Sequence, residues 1–159
     1  LGADGFVFGV LDEQGKVDQR ANEFLKRAAG DKPCTFHRAF DASADLTDSL
    51  ERIVDLGFQR ILTSGGKNTL TEGLGVIMEL LEKAQDRIII MPGGGTKAEH
   101  VPELKKTGWL REVHASCKVA RPSRNKHINP GLSFSAMPLD FGVQLGVDKG
   151  LVNAFKEVL

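Results

Sequence analysis

Residues 60–95 read RILTSGGKNTLTEGLGVIMELLEKAQDRIIIMPGGG, and this stretch decides the fold class. A short apolar run is followed by an amphipathic stretch of helical spacing and then by a second apolar run. The pattern predicts a strand over Arg60–Thr63, a helix over Leu70–Ala84 and a strand over Arg87–Met91. Two buried strands joined by one helix form a βαβ unit, in which the strands are parallel.

The same alternation continues on both sides of this unit. Further strands are predicted over Gly5–Val10, Cys34–Phe40 and Glu112–Ser116. Further helices are predicted over Asp18–Ala29, Asp45–Leu56, Lys97–Lys106 and Asp148–Val158. Thr96 and Glu99 form a T-x-x-E pattern, which predicts a capping box at the start of the fourth helix.

Five predicted βα units fit two α/β architectures. One is the (βα)8 TIM barrel, of which the chain would cover about five units; the other is a five-stranded doubly wound parallel sheet. Periodicity does not separate them. We expect a single domain over residues 1–159, with βα units over 1–117 and an irregular segment and C-terminal helix over 118–159. Because the chain begins in the loop before a strand, we expect the native N-terminus to be missing.

The composition excludes several classes of protein. The 21 Lys and Arg residues balance the 21 Asp and Glu residues, which argues against a general nucleic-acid binder. Two cysteines among 159 residues cannot form a disulfide scaffold and favour a reducing compartment. No apolar run approaches the ~18 residues of a transmembrane helix. We therefore expect a cytoplasmic protein that binds neither nucleic acid nor membrane.

Ligand sites of parallel α/β folds lie at the carboxyl ends of the strands. The sequence HRAFD places His37, Arg38 and Asp41 at one such end. His37 is a candidate general acid or base, Arg38 a candidate clamp for an anion, and Asp41 a residue that orients either. A buried Arg–Asp pair that ties the strand end to its loop explains the same pattern equally well. His114 follows a later predicted strand. It either belongs to this catalytic set or is a core histidine whose ring nitrogens have hydrogen-bond partners, and the core interpretation is favoured.

Two glycine-rich turns follow the central strands. Glycine lets backbone N–H groups approach a ligand, and phosphate is the ligand expected at such turns where they begin a helix. The alternative is a pair of tight βα turns without a ligand. The predicted phosphate-binding residues are Thr63, Ser64, Gly65, Gly66, Gly93, Gly94, Gly95 and Ser116.

The cysteines and histidines suggest a metal site only weakly. In Cys34-x-x-His37 and His114-x-x-Cys117 the two residues lie three apart, and such residues on a strand point to opposite faces. Cys34 and Cys117 are the candidate metal ligands, although this spacing argues against a shared site. The isolated His100 is expected at the surface, as is His127.

The motifs GADGFVFGVLDEQGKVD, PCTFHRAFD, RILTSGG, RIIIMPGGG and EVHAS occur in the order and spacing of the CutC copper-homeostasis family. The resemblance runs from residue 1 to about 117. It implies a cytoplasmic, usually oligomeric (βα)8 barrel, of which this chain resembles strands four to eight. The PGGG and HAS turns would then follow strands seven and eight, where such barrels commonly bind phosphate.

The resemblance implies a role in copper homeostasis, with copper(I) as the bound metal. The family's proposed copper-binding cysteines lie in an N-terminal part that this chain lacks, so no copper ligand is carried over to a position here. Two alternatives remain open. One is a phosphate-binding barrel enzyme acting on a small phosphorylated metabolite, and the other is an oligomeric scaffold whose strand-end cavity is filled by side chains. We expect that the unpaired strand edges are covered either by a partner copy or by residues that this sequence does not include.

Overall fold

A computed structural model describes residues 2–124, 126–127 and 142–159. The chain divides into two compact units, residues 1–115 and residues 116–159, close to the predicted change of pattern at residue 117. Within the described ranges no helix has the length and apolar character needed to cross a membrane.

The first unit alternates strands and helices. Its strands are β1 (Phe6–Phe8), β2 (Cys34–Phe36), β3 (Arg60–Thr63) and β4 (Ile89–Pro92). Its helices are α1 (Gln19–Ala29), α2 (Leu46–Asp55), α3 (Leu70–Ala84) and the short α4 (Val101–Lys105). A 3-10 helix follows β2 over Arg38–Ala42, and a second 3-10 helix directly precedes α4 over Ala98–His100. The predicted bounds of β3 and α3 are confirmed.

The four strands form one parallel sheet in the order β1-β2-β3-β4. Each crossover therefore steps in the same direction, and right-handed crossovers then place all connecting helices on one face, as in a barrel. A doubly wound sheet reverses direction at a switch point. The alternative of a five-stranded doubly wound sheet is wrong, and the chain has a partial TIM-barrel fold.

The core lies between the sheet and its helices. Phe36, Ile61 and Ile90 are aligned across β2, β3 and β4 and are fully buried on the helix-facing side. The ring of Phe58, which follows α2, meets the rings of Phe8 and Phe36 edge-on at centroid distances of 5.1 and 5.4 Å. These contacts fix β1 and β2 against the helical layer.

Short polar side chains start the helices at the predicted places. The carboxylates of Asp18 and Asp45 accept hydrogen bonds from N–H groups in the first turns of α1 and α2. The hydroxyl of Thr69 accepts one from Glu72 at the start of α3. Such caps satisfy backbone donors that have no partner within the helix.

The strand predicted over Glu112–Ser116 is wrong. The only backbone hydrogen bond that ties this segment to the sheet, among the residues described, runs from the His114 N–H to the Pro92 carbonyl at 2.9 Å. One bond does not form a ladder, so residues 109–117 have no regular structure. The segment is also held by an ion pair between Arg60 Nε and Glu112 Oε2 at 2.7 Å.

The helix predicted over Lys97–Lys106 is interrupted, and its predicted capping box is wrong. The hydroxyl of Thr96 donates to the Pro92 carbonyl. The cap is instead built by His100, whose Nδ1 accepts from the Lys97 N–H at 3.0 Å while Nε2 lies 3.1 Å from the Thr71 hydroxyl. His100 is 5% exposed, so its predicted surface position is also wrong.

The second unit contains two strands and one helix in its described part. Strand β5 (Lys118–Pro122) pairs antiparallel with β6 (Val143–Val147), and α5 (Lys149–Val158) is capped by Asp148. The irregular segment predicted after residue 117 therefore contains two strands, Lys118–Pro122 and Val143–Val147. Residues 128–141 of that segment lie outside the described residues.

Candidate functional site

His37 lies directly after β2, at the carboxyl end of the sheet. Its N–H continues the pairing with β1 by donating to the Phe8 carbonyl at 3.2 Å. Its ring nitrogen Nδ1 accepts a hydrogen bond from the Ala39 N–H at 3.2 Å and caps the first 3-10 helix. The neutral ring therefore carries its proton on Nε2. The Nε2–H of His37 in this tautomer can donate a hydrogen bond, and its other ring nitrogen already accepts one from the backbone.

The carboxylate of Asp41 is the most heavily bonded group at these strand ends. Oδ1 accepts from the Thr63 hydroxyl at 2.5 Å and from the N–H groups of Ser64 and Gly66 at 3.0 Å. Oδ2 accepts from Arg38 Nε at 2.6 Å and lies 3.0 Å from the Ser64 hydroxyl. Burial raises the pKa of this carboxyl, but the accepted hydrogen bonds outweigh burial and hold its pKa below the ordinary value of 3.8.

Arg38 is oriented by the same network. Its Nε–H donates to Asp41, and Nη2 donates to the Ser64 hydroxyl at 2.5 Å and to the Lys67 carbonyl at 3.1 Å. A guanidinium has five N–H donors in a fixed plane. Three are thus used within the protein, and the two on Nη1 have no acceptor among the described residues. The sequence left open an Arg–Asp pair or an anion clamp; the structure shows the Arg38–Asp41 pair, and the anion clamp stays a prediction.

The glycine turns have mostly internal partners. The Gly65 N–H donates to the Thr63 hydroxyl, and the Gly66 N–H donates to Asp41. The Gly93 N–H donates to the Thr63 carbonyl at 2.8 Å. Of the predicted phosphate-binding glycines, Gly94 and Gly95 are those whose N–H groups have no acceptor in the part of the chain that the structure describes. The phosphate role of these turns stays a prediction.

Gly94 also leaves room for Arg38. Its φ is +83°, and a Cβ placed there would lie 3.0 Å from Ser64 Cβ and 3.2 Å from Nη1 of Arg38. A side chain at this position would press on the guanidinium edge that carries the free donors. Position 94 therefore requires glycine for two reasons, its positive φ and the lack of space for a Cβ.

A cavity of about 320 Å³ opens beside this network. It is lined by Arg38, Asp41, Ala42, Gly66, Lys67, Asn68 and Glu72. Sequence analysis missed Lys67, Asn68 and Glu72. Their signal was available, because they follow the TSGG turn and begin α3, where side chains of a parallel α/β fold reach a strand-end site.

The remaining candidates are dispersed. The side chain of His114 is exposed, so the core interpretation is wrong, and Ser116 is exposed in the second unit. Cys34 is fully buried at the start of β2, and its thiol lies 3.4 Å from the Lys32 carbonyl. Cys117 is half-buried and has a φ of +47°. Within the described ranges, no three His, Cys, Asp or Glu side chains converge in a group that could hold a metal ion.

Comparisons with known proteins agree on one family. The sequence model of the CutC family matches residues 1–119. A "family protein CutC" of Xylella fastidiosa strain Temecula1 is 42% identical over 82% of this chain and 49% of its own length. The human "Copper homeostasis protein cutC homolog" is 39% identical over 85% of this chain and 50% of its own length.

A solved structure shows the same fold. The crystal structure of the putative copper homeostasis protein CutC from Streptococcus agalactiae superposes with a TM-score of 0.63 at 35% identity. The match covers 70% of this chain and 55% of that protein. The chain spans about half the length of the curated relatives that it matches.

Proposed function

Since the chain belongs to the CutC family, we propose that it takes part in copper homeostasis. The observation that carries the proposal is the family match over residues 1–119, together with the name of the human relative. The test is growth of cells with and without the protein in graded copper, with total cell copper measured alongside. Unchanged tolerance and unchanged copper content would contradict the proposal.

Copper(I) binding is a finer part of this proposal. Copper(I) prefers soft thiolate ligands. The described residues offer Cys34, which is fully buried beside a backbone carbonyl, and Cys117, and they form no cluster of metal-binding side chains. This donor set does not fit a copper(I) centre, so no step of the mechanism is assigned to copper.

An anaerobic copper(I) titration of the full chain tests direct binding. The Cys34→Ser and Cys117→Ser variants are titrated singly and together. Stoichiometric binding that is lost with either thiol would establish a copper ligand in this chain. Absence of binding, or binding that survives loss of both thiols, would exclude ligation by these cysteines.

A second candidate function is an enzyme that acts on a small acidic metabolite at the strand ends. Sequence analysis expected a phosphorylated one. The observation in its favour is the fixed guanidinium of Arg38, which keeps two unused donors beside a cavity of about 320 Å³. Here Arg38 binds the acid group and Asp41 positions Arg38, whereas His37 is not among the residues that line the cavity. Loss of acetate binding in Arg38→Gln would support this site, whereas unchanged binding would count against it.

Location and assembly complete the proposal. We expect the protein in the cytoplasm, where its two free cysteines remain reduced. We also expect a homo-oligomer, because Val7 of β1 is 64% exposed and the edge of that strand is a template for pairing. Cell fractionation tests the first expectation. Light scattering after gel filtration tests the second, and a monomer at micromolar concentration would contradict it.

A further inference from the structure

The cavity beside Arg38 carries both signs of charge in equal number. Arg38 and Lys67 contribute two positive charges, and Asp41 and Glu72 contribute two negative ones. A binding site is usually complementary in charge to its ligand. The balance therefore disfavours a phosphate dianion, which would add two negative charges to a cavity that has no positive excess.

The four charges do not face a ligand equally. Asp41 is 9% exposed, and both of its oxygens already accept several hydrogen bonds from the protein. It neutralises Arg38 and fixes its plane, but has little capacity for a ligand. The groups left to a ligand are Nη1 of Arg38, the ammonium of Lys67 and the carboxylate of Glu72. The side chains of Lys67 and Glu72 have no hydrogen-bond partner among the residues described.

These three groups define a chemical class. Nη1 of Arg38 and the Lys67 ammonium can each donate to one oxygen of a carboxylate. Glu72, which accepts only, suits an ammonium group. The volume of about 320 Å³ lies at the small end of ligand pockets and holds a small metabolite.

We propose that this cavity binds a small zwitterion of the amino-acid class. The carboxylate lies on Arg38 and Lys67, and the ammonium group lies on Glu72. The inference rests on the second candidate function, since it assumes a ligand site at the strand ends. It replaces the phosphorylated metabolite expected from the sequence with an amino acid or amine-bearing acid.

The test is a titration of the full 159-residue chain at fixed ionic strength, followed by the backbone amide NMR signals of Gly66 and Asn68. The probes are glycine, β-alanine and 4-aminobutyrate, which separate the two charges by increasing distances. Acetate and inorganic phosphate are the matched anions without an ammonium group. An exposed ion pair predicts that the best amino acid binds about three- to fivefold more tightly than acetate.

Variants assign the two ends of the ligand. Glu72→Gln is expected to reduce amino-acid binding to the level of acetate and to leave acetate binding unchanged or tighter. Glu79→Gln removes an exposed carboxylate two turns further along α3 and is the matched control, with no change expected. Arg38→Gln is expected to remove binding of acetate and amino acids alike. Because it also breaks internal bonds, Lys67→Gln, expected to weaken both, tests the carboxylate end independently.

The outcomes separate the two proposals. If phosphate binds more tightly than every amino acid, or if Glu72→Gln leaves amino-acid affinity unchanged, the zwitterion inference is overturned. If acetate binds in an Arg38-dependent way but no amino acid binds better, the inference fails and the strand-end site stands. If no probe shifts the amide signals of Gly66 and Asn68, the strand-end site fails and the inference fails with it.

Discussion

Gly73 and Gly75 occupy the same helix, and we predict that replacing each with alanine changes stability in opposite directions. Gly73 faces the end of β3. A Cβ built on it would overlap the Ser64 carbonyl oxygen and would lie 3.2 Å from Gly65 Cα. Gly65 is equally confined, because its own Cβ would lie 2.6 Å from the Gly73 carbonyl oxygen. Gly75 is exposed and would place its Cβ in open space.

The magnitudes follow from these distances. At Gly75 only the helix preference acts, so Gly75→Ala is expected to raise the free energy of unfolding by about 0.5–1 kcal/mol. Gly73→Ala gains the same preference, but α3 has to move away from backbone atoms, and the core contacts of Leu70 and Ile77 move with it. Overpacking of this kind typically costs about 1–3 kcal/mol, and rigid backbone places it at the upper end. We expect a net loss of about 2 kcal/mol.

Urea denaturation followed by the fluorescence of Trp109 measures both effects. Trp109 is the only tryptophan and packs, half-buried, against the core of the first unit. The expected result is a higher midpoint for Gly75→Ala and a lower one for Gly73→Ala, with unchanged slopes. A Gly73→Ala variant as stable as Gly75→Ala would refute the close approach of α3 to the end of β3.

Three further predictions concern charge and pH. Asp41→Asn removes one acceptor oxygen from a buried network, so urea denaturation should show a loss of about 3 kcal/mol in the free energy of unfolding. The control Asp48→Asn removes an exposed carboxylate and should cost less than ~1 kcal/mol. Equal losses would count against the Asp41 network. Because the pKa of Asp41 is lower in the folded protein, its stabilisation is complete above pH 3.8 and is lost as the pH falls through the lower folded pKa. Midpoints measured down to acid pH should therefore decline more steeply for the native chain than for Asp41→Asn, and parallel profiles would contradict this. Burial lowers the pKa of His100 below 6.5, so the free energy of unfolding should be constant above pH 6.5 and should decline below it. The His100→Gln variant should lose this decline, whereas the control His127→Gln, at an exposed position, should keep it. A decline that survives in His100→Gln would refute the assignment to His100.

Local signals were enough to predict the centre of the fold. The bounds Arg60–Thr63 and Leu70–Ala84 agree with the structure because an apolar run, a threonine cap and a helical period all lie within the segment itself. Strands at the margins depend on distant partners. Glu112–Ser116 has the composition of a strand but makes a single backbone bond to β4, whereas Lys118–Pro122 becomes a strand through pairing with Val143–Val147.

Long-range contacts also explain what the sequence missed at the site. His100 looks like a surface residue of a short helix, and its burial follows from partners on two elements, Thr71 and Lys97. The motif HRAFD lies at the end of β2, where its Arg38 and Asp41 form an ion pair. Which donors of Arg38 remain free depends on Ser64 and the Lys67 carbonyl, which lie more than 25 residues away.

The glycines after β3 link stability to the chemistry of the site. Gly65 and Gly73 let α3 approach the end of β3 at backbone distance, and this approach fixes Ser64 beneath the helix. Ser64 in turn contacts both Arg38 and Asp41. The packing of Gly65 against Gly73 thus determines which N–H donors of Arg38 remain free, although neither glycine is hydrogen-bonded to Arg38 itself. A substitution at Gly73 that leaves the chain folded should therefore still displace Ser64 and weaken acetate binding, while Gly75→Ala should leave that binding unchanged.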